Sequence, residues 1–127
     1  MHAWINESSE VFLSDNFGIE SGDMHRMVET ADWLVHGLYE LSKLEKNTDV
    51  LEEIDALRTR ITYGIKEELV ELVRVKSIGR VRARILFKNG IKTLDELTAT
   101  PIEKLAKMDK IGHVIAENIK TQLKKVR

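Results

Sequence analysis

Apolar residues recur at helical spacing over residues 23–44. At about 100° per residue, Met24, Met27, Ala31, Leu34, Val35, Leu38 and Leu41 fall into one stripe, which predicts an amphipathic helix with that stripe on a core. Trp33 breaks the pattern, projecting about 140° from the middle of the stripe. Arg26, one heptad earlier, projects in nearly the same direction about two turns away. A flat indole and a guanidinium on the face turned from the core suit stacking on nucleic-acid bases. Burial of Trp33 against another helix, or its use as an anchor for a partner helix, fits the same periodicity.

Helix signals punctuate the rest of the chain, and no segment reads as a strand, so the expected class is all-α. Residues 3–7 look like the end of a helix that began upstream. Ser8 or Ser9 is placed to cap a short helix ending near Phe17-Gly18, and Ser21 or Asp23 to open the long one. Asp49, with Glu52 three residues on, predicts the cap of a helix running to about Tyr63, which Gly64 stops. Residues 66–73 read as a short amphipathic helix, and another runs from near Gly79 to Asn89-Gly90. Thr93 with Glu96, and Thr100 with Pro101 and Glu103, mark two further starts. The last helix runs from about Gly112 towards Arg127.

An internal repeat lies at an offset of 33 residues. Ile78-Gly79-Arg80-Val81-Arg82-Ala83 aligns with Ile111-Gly112-His113-Val114-Ile115-Ala116, with Ile, Gly, Val and Ala in register. Two copies make a pseudo-dyad and not a solenoid. Each copy is apolar–Gly–x–apolar–x–Ala between helical segments, the pattern of a tight hairpin joining two helices that the alanine lets pack closely. The unpaired N–H groups opening the second helix of each hairpin suit a phosphate oxygen.

Charge divides the chain. Residues 1–57 hold 13 Asp/Glu and 3 Lys/Arg, net −10, while residues 58–127 hold 8 Asp/Glu and 17 Lys/Arg, net +9. Seven basic residues and no acidic one lie between Arg74 and Lys92. That tract is either an electrostatic footprint for a polyanion or a solvated helix face. The asymmetry predicts an acidic helical module over residues 1–63 and a basic module over 64–127. The chain lacks cysteine, which excludes disulfides and thiolate metal sites. No run of apolar residues is long enough to span a membrane and no signal peptide is evident, so a cytoplasmic protein with no membrane partner is expected. His25 and His36 stand about 16 Å apart on a straight helix, too far to share an ion. His113 falls in the second hairpin, as a phosphate contact or as an exposed histidine without function. Glu67, Glu68 and Glu71 read as a solvated face, not as an acid–base pair.

Four blocks in order carry a resemblance: Phe17-Gly18-Ile19-Glu20-Ser21-Gly22-Asp23, Val28-Glu29-Thr30-Ala31-Asp32-Trp33-Leu34, Tyr63-Gly64-Ile65-Lys66-Glu67-Glu68-Leu69 and Ile78-Gly79-Arg80-Val81-Arg82-Ala83-Arg84. Together they resemble the C-terminal part of the archaeal Hjm-type DNA helicases, the Hel group of Ski-two-like superfamily 2 enzymes, over essentially the whole chain. The repeat resembles the tandem helix-hairpin-helix domain that grips DNA backbones without reading sequence. The resemblance implies part of a helical ratchet domain over residues 1–63, whose long helix touches the translocating single strand, with Arg26 and Trp33 at the base-stacking positions. It implies a helix-hairpin-helix clamp or brake over residues 64–127, near the exiting 3′ tail. There Ser77, Ile78, Gly79 and Arg80 would hold a phosphate, Arg82 and Arg84 would add backbone charge or dock on the motor, and Lys110, Gly112 and His113 would form the second hairpin. Many family hairpins begin with glycine where this chain has Ser77 and Lys110, which points the second hairpin towards a structural role.

The implied function is that of a DNA-binding accessory region of an ATP-dependent 3′–5′ helicase acting on forks or recombination intermediates in repair. Its implied partners are DNA, mainly a single-stranded 3′ tail, and the motor domains of the same helicase. No Gly-x-x-x-x-Gly-Lys-Ser/Thr loop or helicase-type acidic box is present. The chain by itself is therefore expected to be no enzyme and to hold no cofactor, with ATP and Mg²⁺ in motor domains outside it. It reads as a fragment of that larger protein. A protein-interaction module, with a structural hairpin repeat and Trp33 as an anchor, stands as the alternative.

Overall fold

A computed structural model describes residues 1–126. Its helices are α1 (His2–Ile5), α2 (Glu10–Phe17), α3 (Ser21–Leu44), α4 (Leu51–Tyr63), α5 (Arg80–Lys88), α6 (Leu94–Ala99), α7 (Ile102–Ala106) and α8 (Gly112–Val126). No strand occurs among the described residues, so the class is all-α. Arg127, towards which the last helix was expected to run, lies outside them. The chain divides into two compact units, Met1–Glu67 and Glu68–Arg127. No helix among the described residues is long and apolar enough to cross a membrane.

In the first unit α3 and α1 both pack on α4. Ser9 caps α2, its hydroxyl accepting the Phe12 N–H at 3.1 Å, and Gly18 ends that helix in the left-handed region. The residue capping α3 is Glu20, not Ser21 or Asp23. Asp23 is the third helical residue, and its carboxylate accepts the Glu20 N–H at 3.2 Å, so the acid works one turn inside the helix. Asp49 does not cap α4 either. It lies within a 3₁₀ turn, Thr48–Val50, that leads directly into the helix. Gly64 terminates α4 at φ 67°.

The packed face of α3 is rotated by about 70° from its apolar stripe. Met24 and Ser42 are buried, and Val28, Ala31, Asp32, Val35 and Tyr39 are half-buried. Met27, Leu34, Leu38 and Leu41, expected in the core, are exposed. The rotation brings Asp32 to α4, where Arg58 binds it.

The second unit holds fifteen buried apolar side chains against five in the first, and the first holds ten of twelve exposed large apolar side chains, among the described residues. The basic unit therefore has a filled core of its own, whereas the acidic unit presents apolar surface. Residues 66–73 do not form an α-helix. Two 3₁₀ turns, Glu67–Leu69 and Leu72–Arg74, replace it. Leu69, Val70, Leu72, Val73 and Val75 are all buried, and their spacings of three suit three-residue turns. An α-helical winding would scatter them around the axis. Thr93 caps α6 as expected, accepting the Glu96 N–H at 3.1 Å. The Lys120 ammonium closes the other end of that helix, donating to the carbonyls of Leu97 at 3.0 Å and Thr98 at 2.7 Å. Burial, with the nearby charge of Lys124, holds its pKa below the ordinary lysine value.

Trp4 and Gly64 join the two ends of the first unit. The indole N–H donates to the Ile61 carbonyl at 2.7 Å, and a Cβ on Gly64 would stand 2.5 Å from the ring. Gly64→Ala should lower stability by roughly 2–4 kcal/mol, from overpacking and from the left-handed backbone together. An unchanged thermal unfolding midpoint would reject this contact.

Candidate nucleic-acid interface

The two polar clamps on α3 settle where its side chains face. Arg58 Nε donates to Asp32 Oδ1 at 2.6 Å and Nη2 to Oδ2 at 3.2 Å, a bidentate pair between α4 and α3. Arg58 Nη1 also lies 3.1 Å from His36 Nδ1. The guanidinium holds the Asp32 carboxyl below its usual value, chiefly through the hydrogen bond, and Asp32 in turn raises Arg58. With Asp32 turned to α4, the next residue projects about 100° further round. Trp33 is 71% exposed and makes no core contact. Arg26, also exposed, forms an ion pair with Asp23 one turn earlier on the same helix. Arg26 and Trp33 thus share a face at a separation of about 10 Å along the axis.

The second unit repeats its backbone as well as its sequence. Ser77 (φ 79°) and Lys110 (φ 61°) are both left-handed, and each precedes a buried isoleucine. The N–H of Ile78 bonds to the Val75 carbonyl at 3.2 Å, and that of Ile111 to the Met108 carbonyl at 3.3 Å. Ala83 and Ala116 are fully buried, while Val81 and Val114 are exposed. Gly79 caps α5 in an extended conformation, whereas Gly112 has φ 67°, so the two turns differ at the glycine. Arg80 is the first residue of α5, half-buried. Arg84 pairs with Glu68 at 2.6 Å and lies 5.1 Å from the centre of the Phe87 ring. Arg82 donates to two carbonyls, Ser77 at 2.9 Å and Lys110 at 2.8 Å. His113 pairs with Glu117 at 2.9 Å when protonated.

Residues 1–64 match the family model described as archaeal helicase, domain 4, which is half of the chain. The chain belongs to the archaeal helicase domain 4 family. Beyond that domain, residues 69–125 match a SAM-like helix-hairpin-helix tandem. Curated relatives named ATP-dependent DNA helicase Hel308 align along nearly all of it. The Pyrococcus horikoshii protein is 41% identical and the Pyrococcus abyssi protein 39% identical, each over 94% of this chain and 17% of the relative. The Methanocaldococcus jannaschii protein is 38% identical over 97% of this chain and 10% of the relative. The chain thus spans about a sixth of the length of the Pyrococcus proteins that it matches.

In the helicase domain 4 unit, Arg26 and Trp33 lie on one face of one helix, as their heptad spacing requires. The hairpin unit sets Ser77, Ile78, Gly79, Arg80 and Arg82 around one turn and Lys110, Gly112 and His113 around the other, but engages Arg84 with Glu68 and Phe87. Sequence reasoning missed the Asp32–Arg58 pair, whose members lie 26 residues apart with no shared motif. It also missed Gln122, whose side-chain amide bonds to both the N–H and the carbonyl of Lys76, at 2.8 and 2.9 Å. Periodicity places neither side chain.

A lowered Asp32 pKa means that the Arg58 pair contributes stability above the ordinary carboxylate range, lost as pH falls through the folded value. Asp32→Asn should cost about 0.5–1 kcal/mol near neutral pH, the size of a partly exposed pair, and nothing in strong acid. Equal destabilisation at both pH extremes would reject this linkage. Relief of left-handed strain predicts that Ser77→Gly and Lys110→Gly each stabilise the domain by about 0.5–1 kcal/mol; chemical denaturation measures it, and a loss of stability would contradict it.

Proposed function

We propose that this chain is the DNA-binding accessory region of an ATP-dependent 3′–5′ DNA helicase. The observation that carries the reading is Trp33: a large aromatic ring held in solvent, opposite the packed face of its helix, with Arg26 one heptad before it. A flat apolar ring in water invites a flat apolar partner, and every nucleobase offers one. Arg26 adds a cation whose pairing with Asp23 leaves it exposed. In the parent protein, bases of a single strand would stack on this pair while motor domains drive the strand past α3.

The tandem unit supplies the second grip. It holds 14 Lys/Arg and 7 Asp/Glu, net +7, against net −8 for the first unit with 6 and 14. The turn at Ser77–Arg80 would hold one phosphate and that at Lys110–His113 a second, through backbone N–H groups other than those of Ile78 and Ile111, as a clamp or brake near a 3′ tail at forks or recombination intermediates. The exposed row Met27, Leu34, Leu38 and Leu41 favours a further use of the first unit, as a seat for the motor domains of the same polypeptide. ATP and Mg²⁺ would be held by motor domains outside this chain. The phosphate loop is absent from the sequence, and among the described residues no three His, Cys, Asp or Glu side chains converge.

Fluorescence anisotropy of a labelled single-stranded oligonucleotide, titrated with this chain over a salt series, tests the reading. Trp33→Ala should weaken binding roughly five- to 150-fold, the worth of one stacked base, with unfolding unchanged. The salt dependence should keep its slope, about −0.7 per phosphate neutralised, because the indole carries no charge. Unaltered affinity of Trp33→Ala would end the stacking role.

A further inference from the structure

The hairpin repeat has one side chain that belongs to both copies. Arg82 Nε donates to the Lys110 carbonyl and Nη1 to the Ser77 carbonyl. Ser77 and Lys110 are equivalent positions of the repeat, 33 residues apart, and both are left-handed. One guanidinium therefore bridges the same atom of the two turns. The second copy has Ile115 where the first has Arg82, so the bridge is single and not a feature of each hairpin. Gln122, from the helix that follows the second hairpin, adds a second tie by binding the backbone of Lys76 beside the first.

We propose that Arg82 is a positioning residue that fixes the spacing of the two hairpin turns, so that they engage a nucleic-acid backbone as one bivalent clamp. The inference rests on the nucleic-acid reading above and changes the part Arg82 plays in it, from a charge facing phosphate to a tie between the groups that face it. Its planar fork places two N–H donors at a fixed separation and angle, which matches two carbonyls held apart. Two rigidly spaced sites bind the second phosphate as an intramolecular event, at a high effective concentration. Without Arg82, the spacing of the two turns would be left to the core and to Gln122, and the two phosphates would be met less well together.

Arg82→Lys separates these roles, because lysine keeps the charge but lacks the fork. The full 127-residue chain is titrated onto labelled single-stranded and duplex DNA over a salt series, with Arg82→Ala and Arg82→Lys alongside. The expected result is that both variants lose roughly tenfold or more in affinity and that Arg82→Lys shows a shallower salt slope at unchanged formal charge. In DNA-free samples, amide NMR shifts at Lys110, Ile111 and Gly112 should move in Arg82→Lys together with those at Ser77–Gly79. A lower melting temperature alone, with wild-type slope in the folded range, would mark a merely structural role and overturn the clamp. Wild-type affinity and slope in Arg82→Lys, with unmoved shifts at 110–112, would make Arg82 a charge contact and overturn the positioning role alone. Failure of the wild-type chain to bind either DNA would instead remove the nucleic-acid reading and the clamp with it.

Discussion

The first unit is organised around the contact of α3 with α4, where the Asp32–Arg58 ion pair marks the inward face of α3. An apolar stripe alone would have turned Leu34, Leu38 and Leu41 towards α4. Instead Met24, Val28, Ala31, Val35 and Tyr39 share the packed face with the bidentate Asp32–Arg58 bond, and those leucines stay exposed. Helical geometry carries the consequence one residue along: with Asp32 inward, Trp33 points outward. His36, one turn later, lies 3.1 Å from the same guanidinium on the same side of the helix. The exposed leucine row and the exposed indole both follow from which face of α3 is packed.

The helix ends were legible wherever they depend on local chemistry. Ser9, Gly18, Gly64 and Thr93 mark boundaries through a side-chain acceptor or a special backbone angle, both properties of the residue itself. The misread starts share a cause. Near Ser21 and Asp49 several capping residues lie close together, and the choice among them depends on how the preceding turn approaches. Residues 66–73 defeated periodicity because their apolar positions fit a three-residue turn, which a search for the α-helical period does not test. The repeat was the clearest signal of all, because two buried isoleucines and two buried alanines in register leave little freedom for the backbone between them.

The candidate site was legible to the extent that it lies along one helix or one turn. Arg26 and Trp33 follow from heptad spacing, and the hairpin residues from the repeat. What Arg82 and Arg84 touch did not follow, since a run of arginines looks alike whether its members face solvent, a carboxylate or a carbonyl. Arg84 meets Glu68 and Phe87, and Arg82 meets two backbone oxygens. A basic tract counted in the sequence therefore overstates the charge left to meet a polyanion, because part of it is spent holding the fold.

The two tryptophans stand in opposite surroundings, and that makes the chain its own spectroscopic probe. Trp4 has its indole N–H on the Ile61 carbonyl and its ring against Gly64, so its emission reports whether the ends of the first unit are joined. Trp33 stands in water, so a change in its emission would report contact with its face of α3. One unlabelled molecule thereby carries a reporter of folding and a separate reporter of contact.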